Sequence, residues 1–265
     1  MSSLPIVSYH GIESKEGEYS WLEAEKVYVL SSQAFEAQLE KLSQEGFETL
    51  SLNQIGDWLD GKGFSDKSIA LTFDDGHISH LEHVIPALKQ KQFKAIFFIP
   101  VSLVGQGQHM NWAQLREISQ QGFEIGSHGF RHIPLSDLTH HELWKELQKS
   151  KMTLEDRLGV AIKSFSVPRG YYQLRIREFA MEMGYRFVFT SRFDVNFKGQ
   201  DLWRLNRLAV KRGISLNHFS RMVSGDLGYK RLLEGAKETA RRFVKPSIYD
   251  ALANLKRAVL EKVKI

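Results

Sequence analysis

The most constraining feature of the sequence is a short apolar segment, residues 68–73, that ends in Asp74, Asp75 and Gly76. Its apolar and β-branched residues predict a strand that is buried on both faces, as in a parallel sheet covered by helices. Gly76 permits a tight turn directly after this strand. The two carboxylates are therefore expected at the carboxyl end of a buried strand, where α/β folds place their active sites. Because neighbouring carboxylates repel each other, we expect one to be neutralised or to bind a cation.

Strand and helix patterns alternate along most of the chain. Repeated βα units with short connections favour a parallel sheet. We predict an α/β fold of the closed or distorted barrel kind, because ligands must converge from the ends of several strands. The predicted strands cover residues 4–9, 47–52, 68–73, 95–99, 123–126, 164–167, 187–190 and 202–210. The predicted helices cover residues 33–45, 80–91, 112–121, 139–158 and 175–183.

The composition limits the classes of protein and of metal site that need consideration. With 265 residues, of which 42% are hydrophobic and 25% charged, the chain is expected to form a globular domain with a large core. It contains no cysteine, so any metal ion must be held by His, Asp or Glu. The first residues resemble neither a signal peptide nor a spanning helix, and a cytoplasmic location is therefore predicted.

The positive charge of the chain lies in its C-terminal segment. Residues 226–265 hold ten Lys or Arg and five Asp or Glu, which accounts for the whole net charge of +5. We expect one catalytic domain over residues 1–225 and a basic helical extension over residues 226–265. A solvated helical face explains such an extension most simply, although it could also make peripheral contact with the anionic inner face of a membrane. No motif supports nucleic-acid binding, and none is predicted.

A second polar cluster, with His128 and His132, follows the predicted strand 123–126. If this segment turns helically, the four-residue spacing places both imidazoles on one side, where they can meet one cation. Each polar cluster follows a predicted buried strand, which would bring both clusters to the same rim. Asp75 and the two histidines would leave coordination positions open for water and substrate, as a hydrolytic metal site requires. Asp74 would stay free to accept a proton from the attacking water.

Taken together, the two clusters resemble the first two motifs of a known enzyme family. Residues 72–76 (TFDDG) and 128–132 (HGFRH) look like those of the polysaccharide deacetylases, the NodB-type carbohydrate esterases of family four. Their order and spacing agree, and the similarity extends over roughly residues 4–210. The resemblance implies a distorted (β/α)7-type barrel and a hydrolase that removes the N-acetyl group of an amino sugar. The implied substrate is a polysaccharide, an oligosaccharide or a lipid-linked saccharide intermediate.

The resemblance also implies a role for each motif residue. By motif match, Asp74 is the catalytic base, and Asp75, His128 and His132 bind a divalent metal ion, usually Zn²⁺ in such enzymes. The cation would polarise the amide carbonyl and acidify the attacking water, while Asp74 accepts the proton. The chain departs from the second motif at Gly129, where the family has Ser or Thr. We expect a less braced loop there, with the ligands retained.

The third motif departs further from the family pattern. Residues 166–171 (SVPRGY) lack the arginine that would orient the base, and Arg169 replaces an aromatic residue. The resemblance implies that the backbone N–H of Arg169 helps to hold the oxyanion, a role that any residue can fill. The Arg169 side chain is predicted to bind an anionic or polar part of the substrate. The alternative is an ordinary surface arginine in a turn.

Two histidines compete for the role of general acid. Residues 216–218 (LNH) fit the late Leu-x-His motif of the family, but they also look like the start of a helix. Enzymes similar to the poly-N-acetylglucosamine deacetylases instead use an early Tyr-His motif, which matches Tyr9 and His10. We favour His10 over His218.

Two other functions compete with deacetylation as explanations of these motifs. A glycosidase would use Asp74 and Asp75 as acid and base, but such enzymes hold their carboxyl groups roughly 5 to 9 Å apart, on opposite sides of the bond. The other candidate is a catalytically silent carbohydrate-binding protein on the same fold, for which the altered third motif is the best support.

Overall fold

The protein is described by a computed structural model that covers residues 2–228 and Arg231. Its strands are β1 Ile6–Tyr9, β2 Ile12–Glu13, β3 Leu30–Ser31, β4 Glu48–Thr49, β5 Ser68–Phe73, β6 Ile96–Ile99, β7 Glu124–Ser127, β8 Ser164–Ser166, β9 Phe187–Phe189 and β10 Leu208–Ala209. Its α-helices are α1 Glu23–Lys26, α2 Ser32–Gln44, α3 Leu52–Leu59, α4 Ile85–Gln90, α5 Trp112–Gln120, α6 His140–Leu158, α7 Leu174–Glu182 and α8 Leu216–Val223. A π-helical turn, His80–Val84, leads into α4.

A curled parallel sheet carries the site. Its strand order is β10-β1-β5-β6-β7-β8-β9, and β4 pairs with β5 outside this path. Leu205 forms a parallel bridge with Phe189 just before β10 begins. The Leu205 N–H donates to Val188 O (2.9 Å), and the Thr190 N–H donates to Leu205 O (2.8 Å), so this segment links β9 to the strand that pairs with β1. The predicted α/β class and distorted parallel barrel are confirmed.

Strand β5 lies at the centre of this sheet, and all six of its residues are buried. It is paired with β1 on one side and β6 on the other. The Phe73 ring stacks on Tyr9 and Phe97 of these neighbours, with ring centroids 5.2 and 5.0 Å apart. The Asp74 N–H then donates to Tyr9 O (2.9 Å), which extends the ladder into the functional turn. Because β5 is buried on both faces, packing of the sheet fixes the position of its carboxyl end, where Asp74 and Asp75 follow.

Two apolar clusters pack against opposite sides of the strands. One joins alternate residues of several strands to α3 and includes Ile6, Ala70, Ile96, Phe98 and Trp58. The other joins the remaining strand residues to the outer helices and includes Leu71, Phe97, Leu39 of α2, Leu115 of α5 and Leu147 of α6. The period-two alternation of side chains along each strand produces this division.

Two sequence predictions need correction. The predicted strand 47–52 is only Glu48–Thr49, because α3 begins at Leu52. The missed signal is a capping box, in which the Gln54 N–H donates to Ser51 Oγ (3.4 Å) and the Ser51 N–H donates to Gln54 Oε1 (3.0 Å). The predicted strand 202–210 is reduced to Leu208–Ala209, because residues 201–204 form a turn closed by Arg204 N and Asp201 O (2.9 Å).

Most of the predicted basic extension, residues 226–265, lies outside the described residues, so its helical character stays a prediction. Within the part of the chain that the structure describes, no helix combines the length and the apolar character needed to cross a bilayer.

Gly126 in β7 offers a test of the barrel packing. A Cβ at this position would lie 2.5 Å from both Phe98 Cδ1 and Ser164 Oγ. Gly126→Ala should therefore lower the free energy of unfolding by about 1–3 kcal/mol, measured by urea denaturation. Ser164→Ala removes one clashing atom, so the double variant should be more stable than Gly126→Ala alone. Parental stability of Gly126→Ala would contradict this packing.

Candidate metal centre

Three side chains converge at the carboxyl ends of β5 and β7. Asp75, His128 and His132 offer ligand atoms that all lie within 4.8 Å of one another. The His132 Nε2 atom is 3.1 Å and the His128 Nε2 atom 3.5 Å from the same oxygen, Asp75 Oδ1. This oxygen is buried and makes no hydrogen bond of acceptable geometry to the described residues. One carboxylate oxygen between two imidazole nitrogens is a donor set that fits a divalent cation such as Zn²⁺.

A hydrogen bond to the main chain presents the free nitrogen of His128 to this centre. His128 Nδ1 lies 2.8 Å from the carbonyl oxygen of Ser166, which can only accept. The proton is therefore on Nδ1, and Nε2 carries the lone pair that a metal needs. Burial lowers the pKa of His128 to about 4, so the ring is neutral at neutral pH. His128 therefore presents an unprotonated nitrogen to this centre.

The backbone turns sharply at two of the three ligands. Asp75 has a φ of 75° and His132 a φ of 57°, values that are uncommon for residues other than glycine. Residues 128–132 form an irregular loop, and the helical turn considered from the sequence is not present. Gly129, with a φ of 78°, sends the chain out of the helical region after His128. The His128 and His132 rings still approach to 4.9 Å between centroids.

Electrostatic coupling links Asp75 to His132. Burial acts to raise the pKa of Asp75, but the facing His132 outweighs it, and the pKa lies well below its ordinary value. Burial acts to lower the pKa of His132, but Asp75 outweighs it and the pKa is raised. Since a cation competes with the proton on His132, its binding should weaken as the pH falls through this raised pKa.

Asp74 is held by a different partner, Arg207. The Arg207 Nη1 and Nη2 groups donate to Asp74 Oδ1 (2.7 Å) and Oδ2 (2.8 Å), and both side chains are buried. Arg207 also donates to the oxygens of Thr190 (2.9 Å) and Ser166 (2.9 Å). Burial acts to raise the pKa of Asp74, but Arg207 and His128 outweigh it and the pKa is lowered. Asp74 is therefore ionised at neutral pH and fixed in orientation.

Arg207 was not among the predicted site residues. The third motif lacks an arginine beside Asp74, and Arg207 supplies a guanidinium to that carboxylate from 133 residues along the chain. A signal was present, because Arg207 interrupts the apolar residues of the predicted strand 202–210, as Arg204 and Asn206 also do. A charge in such a run is rarely buried unless it is paired.

His10 follows β1 directly and lies within electrostatic reach of both carboxylates. Its charge contributes to lowering the pKa of Asp74 and of Asp75. Its ring stacks on Tyr28 (4.8 Å), and its carbonyl accepts a hydrogen bond from Nε2 of the fully buried His80 (2.6 Å). His218 is in the first turn of α8, where its N–H donates to the capping Ser215 Oγ (3.3 Å).

Arg169 lies in a turn beside the centre. This turn, Pro168–Gly170, follows β8 and holds Arg169 at a φ of 55°. The side chain is exposed, and its charge opposes protonation of His132, so it lies within electrostatic reach of that ligand. Gly170 is packed closely, since a Cβ there would lie 2.4 Å from Ser191 Cβ.

The expectation of a less braced loop at Gly129 is wrong. The N–H groups of Phe130 and Arg131 both donate to the buried Glu146 carboxylate of α6, at 2.9 and 2.5 Å. The loop is therefore held from a helix, by a residue that sequence analysis did not single out.

The fold is a parallel α/β barrel with one carboxylate and two imidazoles at its carboxyl rim, beside a second carboxylate, and this donor set could hold a divalent ion. The chain matches the family model described as polysaccharide deacetylase over residues 61–188. It is 28% identical over 223 residues to the Bacillus subtilis protein named "Putative polysaccharide deacetylase YxkH", covering 84% of this chain and 76% of that protein.

Two further comparisons agree. The peptidoglycan-N-acetylglucosamine deacetylase PgdA of Listeria monocytogenes is 30% identical over 118 residues, which cover 44% of this chain and 24% of that protein. The structure of the Streptococcus pyogenes deacetylase PplD matches with a TM-score of 0.75 and 23% identity, over 83% of this chain and 98% of that chain. The chain is therefore similar to the polysaccharide deacetylases, and this similarity supports N-deacetylation of a sugar as its activity.

Replacing Arg207 should show how much its ion pair with Asp74 stabilises the fold. Arg207→Met leaves Asp74 buried without its partner and should lower the free energy of unfolding at pH 7 by about 3–5 kcal/mol. In this variant, burial raises the folded-state pKa of Asp74 above its unfolded value. Ionisation of Asp74 therefore lowers the free energy of unfolding as the pH rises. The deficit relative to the parent should therefore be smaller at pH 4 than at pH 7.

Urea denaturation at the two pH values measures this deficit. Arg175→Met, at a half-buried arginine that donates to the backbone oxygens of Leu138 (2.6 Å) and Ser136 (2.9 Å), is the matched control and should show no such dependence. An Arg207→Met deficit that is the same at both pH values would contradict the pairing.

Proposed function

We propose that this chain is a metal-dependent deacetylase that removes the N-acetyl group from an amino sugar of a polysaccharide, an oligosaccharide or a lipid-linked saccharide. The proposed ion is Zn²⁺, held by Asp75, His128 and His132. The observation that carries the proposal is the approach of both Nε2 atoms to a single buried oxygen, Asp75 Oδ1, beside an ionised second carboxylate.

The reaction requires that the amide C–N bond breaks and that a C–O bond to water forms. When bound, the divalent ion would polarise the acetyl carbonyl and acidify the attacking water. Asp74 accepts the proton from that water, and Arg207 keeps this carboxylate ionised and oriented. His10 donates a proton to the leaving nitrogen, so the products are acetate and the free amino sugar. The backbone N–H of Arg169 helps to hold the developing oxyanion.

The side chain of Arg169 is proposed to contact an anionic or polar group of the substrate. Its exposure and its electrostatic reach to His132 support a position at the mouth of the site. A left-handed φ on a residue other than glycine is sparsely populated, and such residues cluster at functional sites.

The silent carbohydrate-binding protein loses part of its support in this structure. Its strongest argument was the arginine missing from the third motif, and Arg207 provides a bidentate guanidinium to Asp74. A glycosidase is disfavoured, because Asp74 is paired with Arg207 while the adjacent Asp75 faces two imidazoles. The predicted cytoplasmic location and peripheral membrane contact stay predictions.

Substitution of the two aspartates should separate metal binding from proton transfer. Asp75→Asn should lose both bound Zn²⁺ and acetate release, whereas Asp74→Asn should keep the metal and lose activity, because it removes only the base. Metal content by mass spectrometry and acetate release from a panel of N-acetylated saccharides measure the two effects. A chelator should abolish activity and added Zn²⁺ should restore it. Full turnover by the metal-free protein would overturn the proposal.

The two candidate general acids can be compared directly. His10→Ala should lower kcat by about 10²–10⁴-fold with the metal retained, because the leaving nitrogen then lacks its proton donor. His218→Ala is the matched control and should turn over at close to the parental rate. Near-parental turnover of His10→Ala, with loss of activity in His218→Ala, would reverse the assignment.

A further inference from the structure

One buried carboxylate from α6 holds the loop that joins the two histidine ligands. The N–H groups of Phe130 and Arg131 donate to Glu146 Oε1 (2.9 and 2.5 Å), and Arg131 Nε donates to Glu146 Oε2 (2.8 Å). The Glu146 side chain is only 3% exposed, so these charge-assisted hydrogen bonds are made out of water, where they are strong. A single side chain therefore fixes two of the three residues between His128 and His132.

Gly129 gives this loop the shape that receives a carboxylate. Its φ of 78° is left-handed, and successive N–H groups around such a residue point to one side and form a nest for an anion. A Cβ at Gly129 would lie 3.4 Å from Glu146 Oε1. Any other residue would be strained at this φ and would crowd the carboxylate. The glycine and Glu146 therefore act as a matched pair.

A second contact from α6 holds the start of the same loop. Ser150 lies one turn beyond Glu146, on the same face of the helix. Its hydroxyl donates to Leu147 O (2.9 Å), so the hydrogen bond between Ser127 and Ser150 (2.8 Å) is donated by Ser127. Ser127 Oγ in turn accepts from the Gly129 N–H (3.2 Å). All three N–H groups between the histidines therefore donate to side chains. Two donate to Glu146 of α6, and the third donates to Ser127, which is itself hydrogen-bonded to Ser150 of α6.

We infer that Glu146 is a positioning residue for the metal site. By accepting from the N–H groups of Phe130 and Arg131, it holds the Nε2 atoms of His128 and His132 at the separation that one ion requires. The inference rests on the proposed function, because it assumes that the Asp75, His128 and His132 centre binds a metal.

The test compares Zn²⁺ affinities of the full-length protein by competition with a chromophoric chelator. Glu146→Ala should weaken binding by about 10–100-fold, as the loss of outer hydrogen-bond partners commonly does. Glu146→Gln keeps one acceptor oxygen and should weaken it less. Glu155→Gln is the matched control, because Glu155 also braces a loop from α6, through Ile162 N (2.9 Å) and Lys151 Nζ (2.7 Å). It should lower the urea midpoint without changing the Zn²⁺ affinity.

Each outcome decides the inference. Parental Zn²⁺ affinity in Glu146→Ala overturns it, and if that variant does not fold, the affinity of Glu146→Gln decides in the same way. Equal losses of affinity in Glu146→Gln and Glu155→Gln also overturn it, because they would reflect general destabilisation. A parent protein that binds no Zn²⁺ overturns the proposed function as well. A parent that binds Zn²⁺ and releases acetate, beside Glu146 variants of unchanged affinity, overturns the inference alone.

Discussion

Two adjacent carboxylates, removed from water at the end of one strand, are the constraint on which this structure depends. Like charges this close repel each other, so each needs its own counter-charge. Asp74 receives the guanidinium of Arg207, and Asp75 faces the imidazoles of His128 and His132. Because Arg207 neutralises Asp74, Asp75 is left facing the two imidazoles, as the proposed cation site requires.

The barrel can give each carboxylate its own partner because it brings the ends of distant strands to one rim. β5 supplies the carboxylates, β7 the histidines, and the segment before β10 the arginine. Parallel pairing places all of these carboxyl ends on the same side of the sheet, and helices exclude water from the other faces. Buried hydrogen-bond partners then hold the loops in position, such as Glu146 for the histidine loop and His80 for the carbonyl of His10.

Much of the fold could be predicted because its signals are local. Strand β5 and helix α6 appear where the apolar segment 68–73 and the amphipathic spacing over residues 139–158 predict them, with α6 beginning one residue later, at His140. Helix α3 was missed because its apolar start follows directly on a two-residue strand, so the two patterns merged. The length of the strand near Leu208 was overestimated because buried residues in an irregular segment look like strand residues.

By itself, the sequence determined which residue types could meet and in what order, since Asp75, His128 and His132 each follow a strand that its own composition identifies. Only the tertiary structure decided that Arg207 balances Asp74 and that Glu146 braces the histidine loop. Those contacts join residues far apart in the chain, and a hydrogen bond between distant side chains leaves no periodic pattern around either partner. They exist because packing of the sheet and of α6 brings opposite charges together out of water, where an unpaired charge would be costly.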